Sequence, residues 1–182
     1  TTALAVGLHL ELILALSAFA VFWNYDSGLY LSVAALITLF YLEKFQWPKM
    51  LWLLGKYLFY FKAILGFTSF LNFLAFGDWP NLSLLVKEVS HFGEGIGMTP
   101  LPLIGLFEIF VLLFLGSALW VLRRGREGRP VDTVAFFLLC YGIFSMLYYI
   151  GESTWQNLYL VAVPPVLLGC FFLKNFWTNR LA

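Results

Sequence analysis

Long apolar runs recur along the whole chain, and they restrict its fold more than any other feature. A run of about 18 apolar residues crosses the roughly 30 Å hydrocarbon core of a bilayer when it is helical. The strands of a membrane β-barrel alternate apolar and polar residues, whereas residues 12–16 and 111–115 are apolar at every position. The sequence therefore predicts an all-α fold, namely a polytopic integral membrane helical bundle.

Composition and charge support a membrane protein and narrow its partners. Of the 182 residues, 62% are hydrophobic and 12% are charged, whereas soluble domains carry about 25% charged residues. The net charge of +1 gives no basic field that would attract nucleic acid. We therefore expect membrane lipids and other membrane protein subunits as partners, and no nucleic acid.

The two cysteines, Cys140 and Cys170, fall inside apolar runs, and their spacing predicts neither a disulfide nor a metal site.

The apolar runs predict about six transmembrane helices in a single domain over residues 1–182. These helices are expected at 3–23, 28–43, 50–76, 101–121, 133–150 and 157–173. The outer loop 77–100 has apolar residues at helical spacing (Leu82, Leu85, Val86 and Val89), which predicts a short interfacial helix. Pro164 and Pro165 predict a kink in the last helix.

The distribution of basic residues predicts the orientation. With six alternating helices, Lys87 lies on the outer side, and eight of the eleven basic residues lie on the inner side: Lys44, Lys49, Arg123, Arg124, Arg126, Arg129, Lys174 and Arg180. The positive-inside tendency then places both termini in the cytoplasm, or in the matrix or stroma of an organelle, and of these membranes we expect a bacterial inner membrane. Tryptophans mark both interfaces: Trp23, Trp79 and Trp155 at the outer ends, and Trp47, Trp52, Trp120 and Trp177 at the inner ends.

Ionisable residues within hydrocarbon are candidate functional residues because an unpaired charge there is costly. Lys62 and Glu108 lie at a similar predicted depth, about 20 Å from the inner surface at the helical rise. We expect them to form an ion pair. The pair is interpreted either as a structural joint between two helices or as a proton, ion or quinone headgroup site.

His9 and Glu11 are two further intramembrane candidates, and their spacing places them on different faces of the first helix. His9 is a candidate axial ligand for a haem iron or a chlorophyll magnesium, or else a hydrogen-bonding residue. His91 is predicted on the opposite side of the membrane, which excludes a bis-histidine haem within this chain. No particular cofactor is identified, and Glu11 is an intramembrane acid that needs a partner.

Two polar segments outside the helices have weaker interpretations. The stretch 88–94 places Glu88 and Glu94 three residues either side of His91, which is half of a carboxylate metal site. Because the sequence has no second Glu-x-x-His segment to complete such a site, it predicts no bound metal. The loop after the fourth helix is a candidate contact for anionic lipid or an acidic partner, through Arg123, Arg124, Arg126 and Arg129.

A set of residues in the last four helices resembles a known family. Glu108 is followed by Gly116 and by a basic end at Arg123 and Arg124, and Asn157-Leu158 opens the last helix. In this respect residues 56–173 resemble the DoxX/MauE group of small four-helix membrane proteins. That resemblance implies a four-helix unit that accompanies quinone-linked or thiol-redox systems. Asn72 and Phe73 stand where that family often has a basic residue.

A second resemblance lies around the fifth helix. Tyr141-Gly142-Ile143 follows a basic loop that ends at Gly128-Arg129-Pro130, which is similar to the prolipoprotein diacylglyceryl transferases. That family has an arginine and then a glutamate a turn apart after the Tyr-Gly pair, whereas Ser145 and Tyr149 occupy those places here. The resemblance therefore implies no active transferase.

The chain contains no G-x-S-x-G, P-loop, Cys-x-x-Cys or His-Glu-x-x-His motif. We therefore expect a non-catalytic integral membrane subunit of a larger energy-transducing or redox complex, respiratory or photosynthetic. The alternative is a small membrane enzyme or carrier that acts on a lipid or a quinone. Lys62 and Glu108 would then form its polar centre.

Overall fold

The computed structural model describes residues 2–81, 83, 84, 87, 90, 105–128, 130–151 and 153–181, and within them every regular element is helical. The helices are α1 (Thr2–Trp23), α2 (Tyr25–Leu42), α3 (Trp47–Phe76), α4 (Leu106–Arg126), α5 (Thr133–Gly151), α6 (Trp155–Val161) and α7 (Val163–Leu181). The predicted interfacial helix lies largely outside the described residues. Glu88, His91 and Glu94 lie outside them altogether.

Five helical stretches have the length and the apolar composition to cross a membrane: Tyr25–Leu42, Trp47–Phe76, Leu106–Arg126, Thr133–Ile150 and Gln156–Lys174. Within α1 there is a shorter apolar stretch, His9–Trp23. Large apolar side chains are exposed on the helices, for example Phe59 on α3 and Leu119 on α4. The predicted class, an all-α chain with several helices able to span a membrane, is confirmed at this level.

Local side-chain and backbone hydrogen bonds mark where several helices begin or end. The Asn24 side chain accepts a hydrogen bond from the Ser27 N–H at 3.3 Å and starts α2 directly after α1. The Asp132 carboxylate accepts from the Ala135 N–H at 2.9 Å at the start of α5. α3 ends at Phe76, and the next residue, Gly77, caps it: its left-handed φ of 79° suits glycine, and its N–H donates to the Phe73 carbonyl.

The chain divides into two compact units, residues 1–97 and 98–182. In the first, α1 and α2 pack so closely that a Cβ on Gly28 would lie 2.1 Å from the Ala20 carbonyl oxygen. The buried Ser32 hydroxyl donates across this contact to the Ser17 carbonyl at 2.8 Å. α3 completes the core of this unit, which consists of Leu14, Ala18, Leu39, Leu53 and Tyr57.

The second unit packs α4, α5, α6 and α7 around a core that includes Phe114, Leu139 and Leu168. A Cβ on Gly142 would lie 2.3 Å from the Phe114 ring, so α5 approaches α4 closely at this glycine. The last predicted span is interrupted at Ala162, between α6 and α7. Pro164 and Pro165 cause this break because neither has an N–H for the preceding turn, and both are fully buried.

Candidate functional site

The strongest polar cluster of the first unit joins α1 to α3 through Glu11, Lys56 and Tyr60. Lys56 and Tyr60 are four residues apart on α3, and Trp52 lies four residues before Lys56, so the three side chains share one helix face. Glu11 faces them from α1. The cluster therefore depends on how α1 packs against α3.

Both oxygens of the Glu11 carboxylate have partners. The Lys56 ammonium donates to Oε1 and forms a salt bridge, and the Tyr60 hydroxyl donates to Oε2 at 2.8 Å. The ammonium also lies 4.0 Å from the centre of the Trp52 ring, within the range of a cation–π interaction. The two charged side chains are half-buried, at 31% and 32% exposure.

The pairing explains how two charges are accommodated in apolar helices. An unpaired charged side chain at the membrane centre costs about 2.5–3.5 kcal/mol on insertion scales and more in simulations. Here each charge has the other as its counter-ion. Helical side chains lean toward the N-terminus of their helix, and Lys56 accordingly lies over Trp52, one turn closer to the start of α3. The cluster thus holds a neutralised ion pair with an aromatic side chain next to it.

An open cleft of about 490 Å³ lies at this cluster. It is lined by Glu11, Trp52, Gly55, Lys56, Phe59 and Tyr60. A Cβ added to Gly55 would meet no atom within 4 Å, so the glycine leaves space in the wall of the cleft. The Trp52 and Phe59 side chains are 52% and 67% exposed. The cleft therefore combines a polar end with aromatic side chains that packing leaves accessible.

The other predicted intramembrane residues have separate environments. His9 is exposed on α1, on a different face from Glu11, and Lys62 is exposed on α3. Glu108 lies in the first turn of α4, where its carboxylate accepts the Gly105 N–H at 2.6 Å. Lys62 and Glu108 belong to different units. Their ion pair stays a prediction.

Two of the arginines at the C-terminal end of α4 contact neighbouring residues of the chain. The Arg123 guanidinium bonds the Glu127 carboxylate at 2.8 Å, and Arg124 donates to the Pro130 carbonyl at 3.2 Å. Arg124 also lies 4.7 Å from the centre of the Trp120 ring. Arg126 is exposed, and Arg129 lies outside the described residues. The predicted role of this segment in binding anionic lipid or a partner stays a prediction.

Lys56 was not among the candidate residues predicted from the sequence, although it falls within the predicted helix 50–76. A usable signal was present, because Trp52, Lys56 and Tyr60 recur at intervals of four residues and form one polar and aromatic stripe. The sequence marked Glu11 as an acid in need of a partner, and in the structure Lys56 and Tyr60 contact its carboxylate.

Comparison of the chain with protein-family models, with curated proteins and with solved structures gives no match.

Proposed function

We propose that the chain is a non-catalytic, multi-pass subunit of a larger membrane complex of the energy-transducing or redox class. The supporting observation is the exposed Lys62 on α3. α3 is 30 residues long and apolar enough to span a membrane. Lys62 lies 13 residues after Lys49, which is about 20 Å along the helix. A cation at that depth requires a counter-ion, and a neighbouring subunit would supply one.

Co-purification tests this proposal. The tagged chain is extracted from its native membrane in mild detergent, and its co-purifying proteins and visible absorption spectrum are recorded together. We expect stoichiometric partners to accompany the wild type and to be lost from Lys62→Met. Lys44→Met is the matched control because Lys44 is exposed in the turn between α2 and α3, outside both helices.

Two results contradict the proposal. The first is a wild-type chain that emerges alone, and the second is full retention of the partners by Lys62→Met. Haem, flavin or pigment in the purified complex would support the redox class, and His9→Ala then tests His9 as an axial ligand. If Lys62→Met and Glu108→Gln destabilise the chain to the same extent and both leave the partners bound, the counter-ion of Lys62 is the predicted Glu108.

We further propose six membrane crossings with both termini in the cytoplasm of a bacterial inner membrane. The support comes from the basic residues and tryptophans along the sequence. In a Cys140→Ser/Cys170→Ser background, single cysteines replace Asp78 and Arg126, and a membrane-impermeant maleimide is applied to intact spheroplasts. Asp78→Cys should be labelled directly, and Arg126→Cys only after permeabilisation. Labelling of both positions from one side contradicts this topology.

A second candidate function is a small enzyme or carrier that acts on a lipid or quinone, and the open cleft beside Glu11 and Lys56 favours it. The double variant Lys62→Met/Glu108→Gln distinguishes the two functions. If the pair is the polar centre of an enzyme, this variant assembles normally and loses turnover. If the pair is structural, the variant keeps whatever activity the membrane fraction has.

A further inference from the structure

The cleft beside the Glu11–Lys56 pair has more hydrogen-bonding capacity than its internal contacts use. An ammonium group has three N–H donors; the Glu11 carboxylate accepts one of those of Lys56, and the ammonium also faces the Trp52 ring at 4.0 Å, which leaves one donor for a ligand. The Tyr60 hydroxyl donates to Glu11 and keeps its oxygen as an acceptor. A ligand with a hydrogen-bond acceptor would therefore find a donor at the polar end of the cleft.

The charges of Glu11 and Lys56 determine which kind of hydrogen-bond acceptor can bind beside them. Glu11 and Lys56 carry opposite charges and are in contact, so the polar end has no net formal charge. An anionic group that approached Lys56 would also face the Glu11 carboxylate, and a cation that approached Glu11 would face Lys56. Like charges at short range repel strongly where water is scarce. A neutral acceptor, such as a carbonyl oxygen, avoids both penalties.

The side chains that line the cleft favour a ligand with a flat ring. Trp52 and Phe59 present largely exposed rings, and Gly55 leaves open space between them. Flat aromatic or quinonoid rings stack favourably on such side chains. The volume of about 490 Å³ is within the usual range for small-molecule sites, about 300–1,000 Å³. The cleft lies on helices whose apolar side chains face outward, so a lipid-soluble ligand can reach it from the membrane.

We propose that this cleft binds the headgroup of a lipid-soluble quinone, with a ring carbonyl accepting a hydrogen bond from Lys56 and the ring against Trp52 and Phe59. The proposal rests on the second candidate function, narrows its ligand from a lipid or quinone to a quinone, and places that ligand in the cleft of the first unit instead of at Lys62 and Glu108. It does not require that the chain belong to a complex. A binding assay on the purified chain therefore fails or succeeds independently of co-purification.

Two glycines of α3 provide a matched pair of variants for the test. Gly55 lines the cleft and Gly66 lies farther along the same helix, and at both positions an added Cβ meets no atom within 4 Å. The full chain is placed in phosphatidylcholine nanodiscs, and decylubiquinone binding is measured by quenching of tryptophan fluorescence. Gly55→Leu should raise the Kd by about tenfold or more because the leucine side chain occupies the space beside Trp52 and Phe59 that the ring needs. Gly66→Leu should leave the Kd unchanged.

A second measurement needs no substitution. A photoreactive azido derivative of decylubiquinone is bound to the wild-type chain and irradiated, and the labelled peptides are identified by mass spectrometry. Label within residues 47–62 that unlabelled decylubiquinone prevents supports the site. The proposal is overturned if the wild type shows no saturable binding, if Gly66→Leu weakens binding as much as Gly55→Leu, or if the label falls outside α1 and α3. Displacement of the label by phosphatidylglycerol but not by unlabelled quinone also overturns it and identifies a lipid headgroup site.

Discussion

The Lys56 ammonium bonds the Glu11 carboxylate and thereby joins α3 to α1 across 45 positions of sequence. Among the described residues this is the salt bridge whose two partners both lie within apolar helices. Lys49 in the first turn of α3 pairs with Glu43, which follows the end of α2, and Arg123 pairs with Glu127 at the end of α4. Charged pairs of this kind are rare within transmembrane helices and mark functional sites by default. The same pair forms the polar end of the cleft.

The close approach of α1 and α2 predicts a large difference between two glycine substitutions. Gly28→Ala places a methyl group against the Ala20 backbone, which cannot move without shifting a helix. We expect it to lower the free energy of unfolding by about 1–3 kcal/mol or more. Gly66→Ala has open space and should raise that free energy by up to about 1 kcal/mol, because alanine favours helix.

SDS-titrated unfolding of the purified protein in mixed micelles measures both variants. If Gly28→Ala is as stable as Gly66→Ala, α1 and α2 do not pack as the structure places them.

The hydrogen bond between Ser32 and Ser17 predicts a second contrast, between two hydroxyls of α2. Ser32 donates to a carbonyl of α1, whereas Thr38 donates to the Ala34 carbonyl of its own helix at 2.8 Å. Interhelical hydrogen bonds in membrane proteins contribute about 0.6 kcal/mol on average and up to about 1.7. Ser32→Ala should therefore destabilise the protein by about that much, and Thr38→Val by less. The same unfolding assay gives both values, and an equal effect at the two positions would show that the interhelical bond is unimportant.

Contact between Gly142 and the Phe114 ring predicts a compensating pair of substitutions. A methyl group at residue 142 would overlap the ring edge and approach the Pro164 Cβ to 3.1 Å. Gly142→Ala should cost about 1–3 kcal/mol of unfolding free energy, as overpacked cores do. Leucine at residue 114 is smaller than the phenylalanine ring and makes room for the new methyl group. The double variant Gly142→Ala/Phe114→Leu should therefore recover part of the lost unfolding free energy. Two independent, additive losses in the double variant would indicate that the side chains are not in contact.

The helices were largely predictable because their apolar runs extend over many turns, and the errors lie where polar residues decide the boundaries. α2 was expected from residue 28 but begins at Tyr25, since the Asn24 side chain caps the helix there. α4 was expected to end near residue 121 but continues to Arg126. Its arginines lie in the last turn, where cations interact favourably with the helix dipole. Apolar content alone does not reveal either effect.

The candidate site was predictable in part. Glu11 could be recognised as an acid in need of a partner because its segment is otherwise apolar. Lys56 could not be assigned to it from the periodicity of one helix, because the pairing depends on the packing of α1 against α3. The predicted partnership of Lys62 with Glu108 was based on equal depth. Depth fixes the level of a residue in the membrane and leaves its rotation about the helix axis open.

Charge reversal at the Glu11–Lys56 contact tests the central claim, that these two residues join α1 to α3 and form the polar end of the cleft. Glu11→Lys and Lys56→Glu each place two like charges together, so each single variant should unfold at a lower SDS fraction than the wild type. The double variant Glu11→Lys/Lys56→Glu restores opposite charges and should recover most of the lost stability. A double variant no more stable than the worse single variant would contradict the claim.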